Sequence, residues 1–341
     1  MAVSILSNMP NTVLKGVFFM YDIITIGEIL VEILAKEIGQ ELCKPGVFLG
    51  PYPSGAPAIC IDQAGRMGVK AAIIAKVGKD DFGKLNLDRL TADGVDVSRV
   101  IETTDNSTGV AFNTYFPDGE RKFLFHFGHA ACGELCSADV DPEAIKASKY
   151  LHIMGCSITG SPTMGEAIIQ AVRLAKENGV KISFDPNIRP ELLKGKIMDY
   201  YTEILDACDV LLTGKSELKI LFGQEWEDAV KNLLQQKDRI VVVKDGSRGT
   251  NFFNRNEAFS VATYPATEVD PTGAGDCFDA TFLSMVCLGY DYRTAVHYAN
   301  AAGAHAVGKA GPMEGNTFKA DLDAYLAAAP KAAEKDIPML Y

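Results

Sequence analysis

The chain has 341 residues, 48% of them apolar and 23% charged, enough for one large α/β domain with a substantial core. Its 33 basic residues stand against 44 acidic ones, net −11. That balance excludes a broad nucleic-acid footprint and leaves anionic ligands to local devices. Eight cysteines, at 43, 60, 132, 136, 156, 208, 277 and 287, lie scattered in mostly apolar surroundings and read as reduced thiols of a cytoplasmic protein.

The first twenty residues lack the basic start of a secretory signal and read as an N-terminal extension, with Met20 an alternative start. The apolar run that follows is broken by Asp22, Glu28 and Glu32, so no membrane span is expected. Residues 22–30, "DIITIGEIL", predict a buried strand. So do 71–78, 150–155, 181–186, 209–214 and 239–246. Helical stretches lie between them. Residues 161–179 open on Ser-Pro and close on Gly, and the segment from Cys277 puts Phe278, Phe282, Met285 and Val286 on one face. The stretch 292–307 is rich in Ala and Gly.

This alternation predicts an α/β fold of three layers, α/β/α, with a doubly wound, mostly parallel sheet. Residues 21–330 are expected to form the domain and 331–341 a C-terminal tail. Residues 106–127 break the rhythm with two alternating runs around Pro117-Asp118-Gly119, a hairpin signal. With residues 34–52 they predict a small β-sheet outside the main layer, a lid.

Ligands of such sheets gather at the carboxyl ends of the strands. Four polar clusters are expected there: "DPNIRP" (185–190), "TGKSE" (213–217), "KDGSRG" (244–249) and "EVDPTGAGDCFDATF" (268–282). Two segments approach a Walker A loop and miss it. "GKDDFGKL" (78–85) ends in Leu85 where a hydroxyl is needed, and "TGKSE" has no glycine five residues before Gly214. His126, His129, Cys132 and Cys136 lie close together, but their spacing fits no common zinc finger. A dinucleotide fingerprint fails as well: Gly273 and Gly275 supply two glycines, and the third position is Phe278. What survives is a glycine-rich turn opening a helix. Either the amides of Ala274, Gly275 and Asp276 receive an anion, or Asp276 only complements the helix dipole; the residues alone leave both open.

"DPTGAGDCF" resembles the C-terminal signature of the ribokinase-like, or PfkB, carbohydrate kinases. "GEILVE" (27–32), "SGAPAICIDQAGRMG" (54–68), "KVGKDDFG" (76–83), "DPNIRP" and "VKDGSRG" resemble other family segments in the same order, over residues 21–327. The resemblance implies transfer of the ATP γ-phosphoryl group to a sugar hydroxyl, with Mg²⁺ and in many members a monovalent cation such as K⁺. It makes Asp276 the general base and the amides of Gly273, Ala274, Gly275 and Asp276 the anion hole. It assigns Glu32, Gly55 and Ala56 to the sugar. Asn187 and Arg189 would lie near the phosphates, Arg189 also toward the substrate. Lys244, Gly246, Gly249 and Asn300 would border the nucleotide. Glu217 would order Mg²⁺ through water, and Asp270 would belong to the cation loop. Asp279 would face solvent or reach the sugar. A homodimer through the lid is a further implication.

Three positions depart from the family pattern: Ser54 before Gly55, Ile59, and Gly214 in an otherwise Asn-x-x-Glu motif. They argue against ribose. Members acting on 2-keto-3-deoxygluconate carry a tyrosine–arginine cluster on the lid, whereas "FLFHFGHAA" has no arginine after Arg121. A ketohexose such as fructose or tagatose is therefore favoured, with 2-keto-3-deoxygluconate as a further alternative. A nucleoside kinase of the same fold, a sugar-binding regulator without catalysis and an NAD-linked dehydrogenase are the alternatives.

Overall fold

The computed structural model describes residues 19–117, 121–188 and 196–340. In chain order it begins with strands β1 (Tyr21–Ile26), β2 (Leu30–Ala35) and β3 (Phe48–Ser54), then helix α1 (Ala56–Arg66), β4 (Ala71–Gly78) and α2 (Asp81–Ala92). Next come β5 (Val95–Asp96), β6 (Val100–Thr103), β7 (Gly109–Tyr115), β8 (Arg121–His126), α3 (Pro142–Lys146), β9 (Ser148–Met154), α4 (Pro162–Glu177) and β10 (Lys181–Asp185). The second half holds α5 (Ile197–Ala207), β11 (Val210–Gly214), α6 (Lys215–Phe222), α7 (Trp226–Gln236), β12 (Ile240–Lys244), β13 (Thr250–Phe253) and β14 (Ala258–Val261). It closes with α8 (Ala274–Cys287), α9 (Tyr292–Ala306), α10 (Lys319–Ala328) and β15 (Glu334–Asp336).

The main sheet runs β15-β14-β13-β12-β11-β10-β9-β1-β4-β5, with β6 also on β4. Pairing is parallel from β5 to β12 and antiparallel across β13, β14 and β15. Two apolar clusters cover its faces. Ile24, Ile26, Val241 and Val243 join one, and Ile23 and Val242 join the other, as strand alternation requires. Helix α4 packs in the first and α1, α8 and α9 in the second, giving the expected three layers. Helix caps follow the sequence: Ser161 accepts from Met164 N at α4, and Asp291 accepts from Thr294 N at α9.

A separate four-stranded sheet has the order β3-β2-β7-β8. Its boundaries differ from the expected lid. The segment 22–30 is not one strand: β1 stops at Ile26, and β2 starts at Leu30 in the small sheet. The chain leaves the main layer at Gly27, where it runs tight against α1 and the turn after β9. A Cβ on Gly27 would lie 2.6 Å from Pro57 Cγ and 2.6 Å from Ser157 Oγ. The hairpin strands β7 and β8 pair with Tyr115 opposite Arg121; its turn, residues 118–120, lies outside the described residues. Within 331–341, expected as a tail, β15 adds an edge strand to β14.

Candidate active site

The carboxyl ends of the parallel strands converge on one cavity of about 260 Å³. Glu28 reaches it from the end of β1, Cys156 and Thr159 from the turn after β9, Asp185 and Asn187 from β10, Glu217 from the start of α6, and Lys244 from β12. The small sheet roofs it with Leu30, Glu32 and Ala111. Phe123, Phe125 and Phe127 alternate along and just past β8, so one face of that strand presents three aromatic rings. Phe123 and Phe125 stack at 5.3 Å, a flat apolar wall. Arg121 stands at its edge.

The opposite wall is the N-terminus of α8. Gly273 caps that helix with φ 81, and a Cβ there would lie 2.3 Å from Pro312 O. Only glycine fits the turn. Gly273, Gly275 and Asp276 line the cavity. The first-turn amides of a helix lack intrahelical acceptors and carry its positive end. Ala274 differs from expectation: its N–H turns to Pro271 O at 3.4 Å, and the residue borders a second cavity.

Asp276 is buried, and Asn187 Nδ2 donates to its Oδ1 at 3.3 Å. Asn187 holds φ 41, a left-handed conformation that asparagine tolerates. Its own N–H donates to Asp185 Oδ1 at 2.9 Å, so this turn aims the amide at Asp276.

Lys244 is the cationic centre of the site. Its Nζ donates to Asp185 Oδ2 at 2.9 Å and to Asp279 at 2.9 and 3.0 Å. Burial opposes its charge, but Asp185, Asp279 and Glu217 outweigh burial and raise its pKa. Burial and the neighbouring Asp185 push Asp279 far above the carboxylate range, against the pull of Lys244. One ammonium thus serves two aspartates.

Glu32 is buried on β2. Ser54 Oγ donates to its Oε2 at 3.1 Å, and Asn113 Nδ2 donates to its Oε1 at 3.2 Å. Burial is the main cause that raises its carboxyl to about 7. Glu217 accepts from Ile188 N at 2.8 Å, Gly214 N at 2.7 Å and Thr213 Oγ1 at 3.1 Å. Burial, then Asp185, raises its pKa. Among the described residues no group of three or more His, Cys, Asp or Glu is placed to hold a metal ion.

The second cavity, of about 490 Å³, lies between β12, β13 and α9. Gly246, Gly249, Thr250, Asn300 and Gly303 line it. The two cavities share Lys244, Pro271 and Gly275 as wall. They therefore meet at the α8 N-terminus.

A model of the pfkB family of carbohydrate kinases matches residues 20–318. The chain belongs to that family. The kinase is 30% identical to the probable fructokinase-5 of Arabidopsis thaliana, over 91% of this chain and 98% of that protein. It is 27% identical to a 5-dehydro-2-deoxygluconokinase of Clostridium perfringens, over 84% and 87%. It resembles a putative ribokinase II from E. coli, solved in complex with ATP and Mg²⁺, with TM-score 0.86 and 43% identity over 90% of this chain and 99% of that one. It is an ATP-dependent carbohydrate kinase. No helix among the described residues is long and apolar enough to cross a membrane.

Within this kinase the residues singled out by sequence fall into three groups. Glu32, Gly55, Ala56, Asn187, Glu217, Lys244, Gly273, Gly275 and Asp276 line the first cavity. Ala274, Gly246, Gly249 and Asn300 line the second, which Lys244 and Gly275 also reach. The side chain of Asn300 is engaged by protein: Thr250 Oγ1 donates to it at 2.7 Å, and it donates to Val261 O and Ala262 O at 3.2 and 3.3 Å. Asp270 borders neither cavity. Its oxygens accept from Tyr115 OH, Thr272 N and Gly311 N, so the carboxylate acts as a loop anchor, and the cation role gains no support from this geometry. Arg189 lies outside the described residues.

Asp279 corrects the sequence reading. It neither faces solvent nor reaches the cavity; it is fully buried against Lys244 because it follows Asp276 by three residues on the inner side of α8. Sequence reasoning named Glu28 and Arg121 without placing them in the site, and it did not foresee the phenylalanine wall. The alternation of "RKFLFHF" carried a signal for the wall. Glu28 carried only its place beside a glycine at a strand end.

Proposed function

We propose that this kinase moves the γ-phosphoryl group of ATP to a hydroxyl of a small sugar, a ketohexose such as fructose or tagatose being favoured. The observation that carries the reading is the meeting of two cavities at the α8 N-terminus, with Asp276 on the side of the carboxylate-lined one. The sugar occupies the first cavity. Its hydroxyls donate to Glu32, and an apolar ring face rests on Phe123 and Phe125. The nucleotide occupies the second.

In that pose Asp276 accepts the proton of the attacking hydroxyl as the new O–P bond forms. Asn187 orients the carboxylate. The α8 amides and the Lys244 ammonium stabilise charge on the transferred group. Mg²⁺ would be held by the ATP phosphates and water, with Glu217 ordering that water, and it would neutralise phosphate charge.

Arg121 favours a second reading, a sugar acid. The guanidinium stands at the cavity edge and makes no ion pair among the described residues. It offers a carboxylate a partner there. ADP release measured over fructose, tagatose, 2-keto-3-deoxygluconate and adenosine separates these readings. Turnover of adenosine alone points to a nucleoside kinase, and no turnover on any substrate points to a binding regulator.

A cytoplasmic location fits eight cysteines without a disulfide. A homodimer through the lid is supported by exposed Val47, Leu49 and Leu124. Sedimentation of the protein, compared with a Leu49→Lys, Leu124→Lys variant, tests it.

A further inference from the structure

The lid reaches the loop before the α8 N-terminus through the Tyr115 hydroxyl and, at longer range, through Arg121. Tyr115 ends β7, 155 positions before Asp270 in sequence, and its OH donates to Asp270 Oδ1. The same OH lies 3.0 Å from Thr272 Oγ1. Across the hairpin, Arg121 Nη1 reaches Thr272 Oγ1 at 3.5 Å.

Asp270 distributes this contact. It is buried, and its other bonds fix two backbone segments: Thr272 N at 2.9 Å on Oδ1, and Gly311 N at 3.0 Å on Oδ2. Thr272 precedes Gly273, the αL cap of the anion hole. Gly311 precedes Pro312, whose carbonyl packs against that cap. Both walls of the Gly273 turn therefore hang on one carboxylate. Burial, then Asp270 itself, raises the Tyr115 phenol pKa far above its ordinary value, so the OH remains a donor at any working pH.

We propose that Tyr115 is a positioning residue for phosphoryl transfer: by holding Asp270 it ties the seated lid to the shape of the anion hole. The inference rests on the sugar-kinase reading. A lid that opens withdraws this hydroxyl, and Asp270 loses a donor. The turn at Gly273 is then less constrained. The phosphoryl site is complete when the lid covers the sugar, which favours the sugar over water as acceptor.

The test is Tyr115→Phe, which removes only the hydroxyl. Expected is a fall in kcat for the sugar of about 10-fold or more, with KM for ATP within about 2-fold of wild type. Sugar-independent ATP hydrolysis, as a fraction of total turnover, rises. Tyr115→Phe combined with Asp270→Asn should be no slower than Asp270→Asn alone, because the two act through one contact. Wild-type kcat in Tyr115→Phe, or losses that multiply in the double variant, overturns the proposal.

Hydrogen exchange gives a readout independent of turnover. In the protein without substrates, the Thr272 and Gly311 amides should exchange faster in Tyr115→Phe than in wild type; equal exchange overturns the proposal. If wild type phosphorylates no sugar, the functional reading fails, while this exchange comparison still decides whether Tyr115 holds the loop. If Tyr115→Phe misfolds, Thr272→Val, which removes the hydroxyl that donates to the Tyr115 oxygen and holds it on Asp270, takes its place with the same expected outcomes.

Discussion

Lys244 Nζ lies 2.9 Å from Asp279 Oδ1 and 3.0 Å from Asp279 Oδ2, and Asp279 has no exposed surface. With Asp185 this makes a buried triad of one cation and two carboxyls directly behind the α8 N-terminus. Removing the cation leaves two carboxyls without compensation. Lys244→Met should lose about 3–5 kcal/mol in urea unfolding, as breaking one side of a buried pair does. Adding Asp279→Asn should recover part of that loss. Equal stability of Lys244→Met and wild type would show that the triad does not hold the sheet end together.

Glu32 predicts a pH dependence of stability. Burial above all, with Asp270 adding and Asn113, Ser54 and Arg121 opposing, lifts its carboxyl from 4.5 to about 7. The folded protein holds this proton more tightly than the unfolded chain. Its contribution is therefore complete below the unfolded value and lost as pH rises through the folded one, by at most about 3 kcal/mol. Glu32→Gln should remove that slope between pH 4.5 and 7, read from urea midpoints. KM for the sugar should fall in wild type as pH rises through about 7, because the ionised carboxylate accepts hydroxyl hydrogen bonds better. The same slope in Glu32→Gln would remove Glu32 as its source.

Gly273→Ala tests the turn that shapes the proposed anion hole. The substitution must hold φ near 81 with its Cβ 2.3 Å from Pro312 O unless the loop moves. The expected loss is about 2 kcal/mol or more in stability, with a fall in kcat of about 10²-fold. Wild-type kcat would mean that the turn's geometry does not matter to transfer.

Asn300→Ala should act on the nucleotide side. It removes one acceptor and two donor contacts that tie α9 to β13 and the end of β14. A loss of about 1–3 kcal/mol is expected, with KM for ATP raised several-fold and KM for the sugar little changed. A raised sugar KM with ATP unaffected would contradict the placement of the nucleotide in the second cavity.

The parts of this molecule that were legible in sequence are those with local causes. "AAIIAKVG" reads as a buried strand because its residues are apolar and β-branched, and β4 spans those residues. "DPTGAGDCF" reads as a glycine turn opening a helix because glycine and the helix start are neighbours in the chain, and α8 begins at Ala274. The break between β1 and β2 was not legible, because it depends on Pro57 and Ser157 crowding Gly27. Asp279 looked like a possible surface acid because the cation that accounts for its burial is 35 positions away. The Tyr115–Asp270 contact spans 155 positions and crosses from lid to main domain, so no window on the sequence contains it. Arg121 could be counted in the sequence, but only the register of β7 and β8 and the placement of the small sheet bring it to the cavity.

In the proposed transfer Asp276 takes the proton of the sugar hydroxyl. Asp276→Asn keeps the size and the contact with Asn187 while removing the base. Sugar phosphorylation should fall by about 10²–10⁴-fold, with ATP affinity by calorimetry within a few-fold of wild type. A variant that phosphorylates the sugar at near-wild-type rate would contradict it.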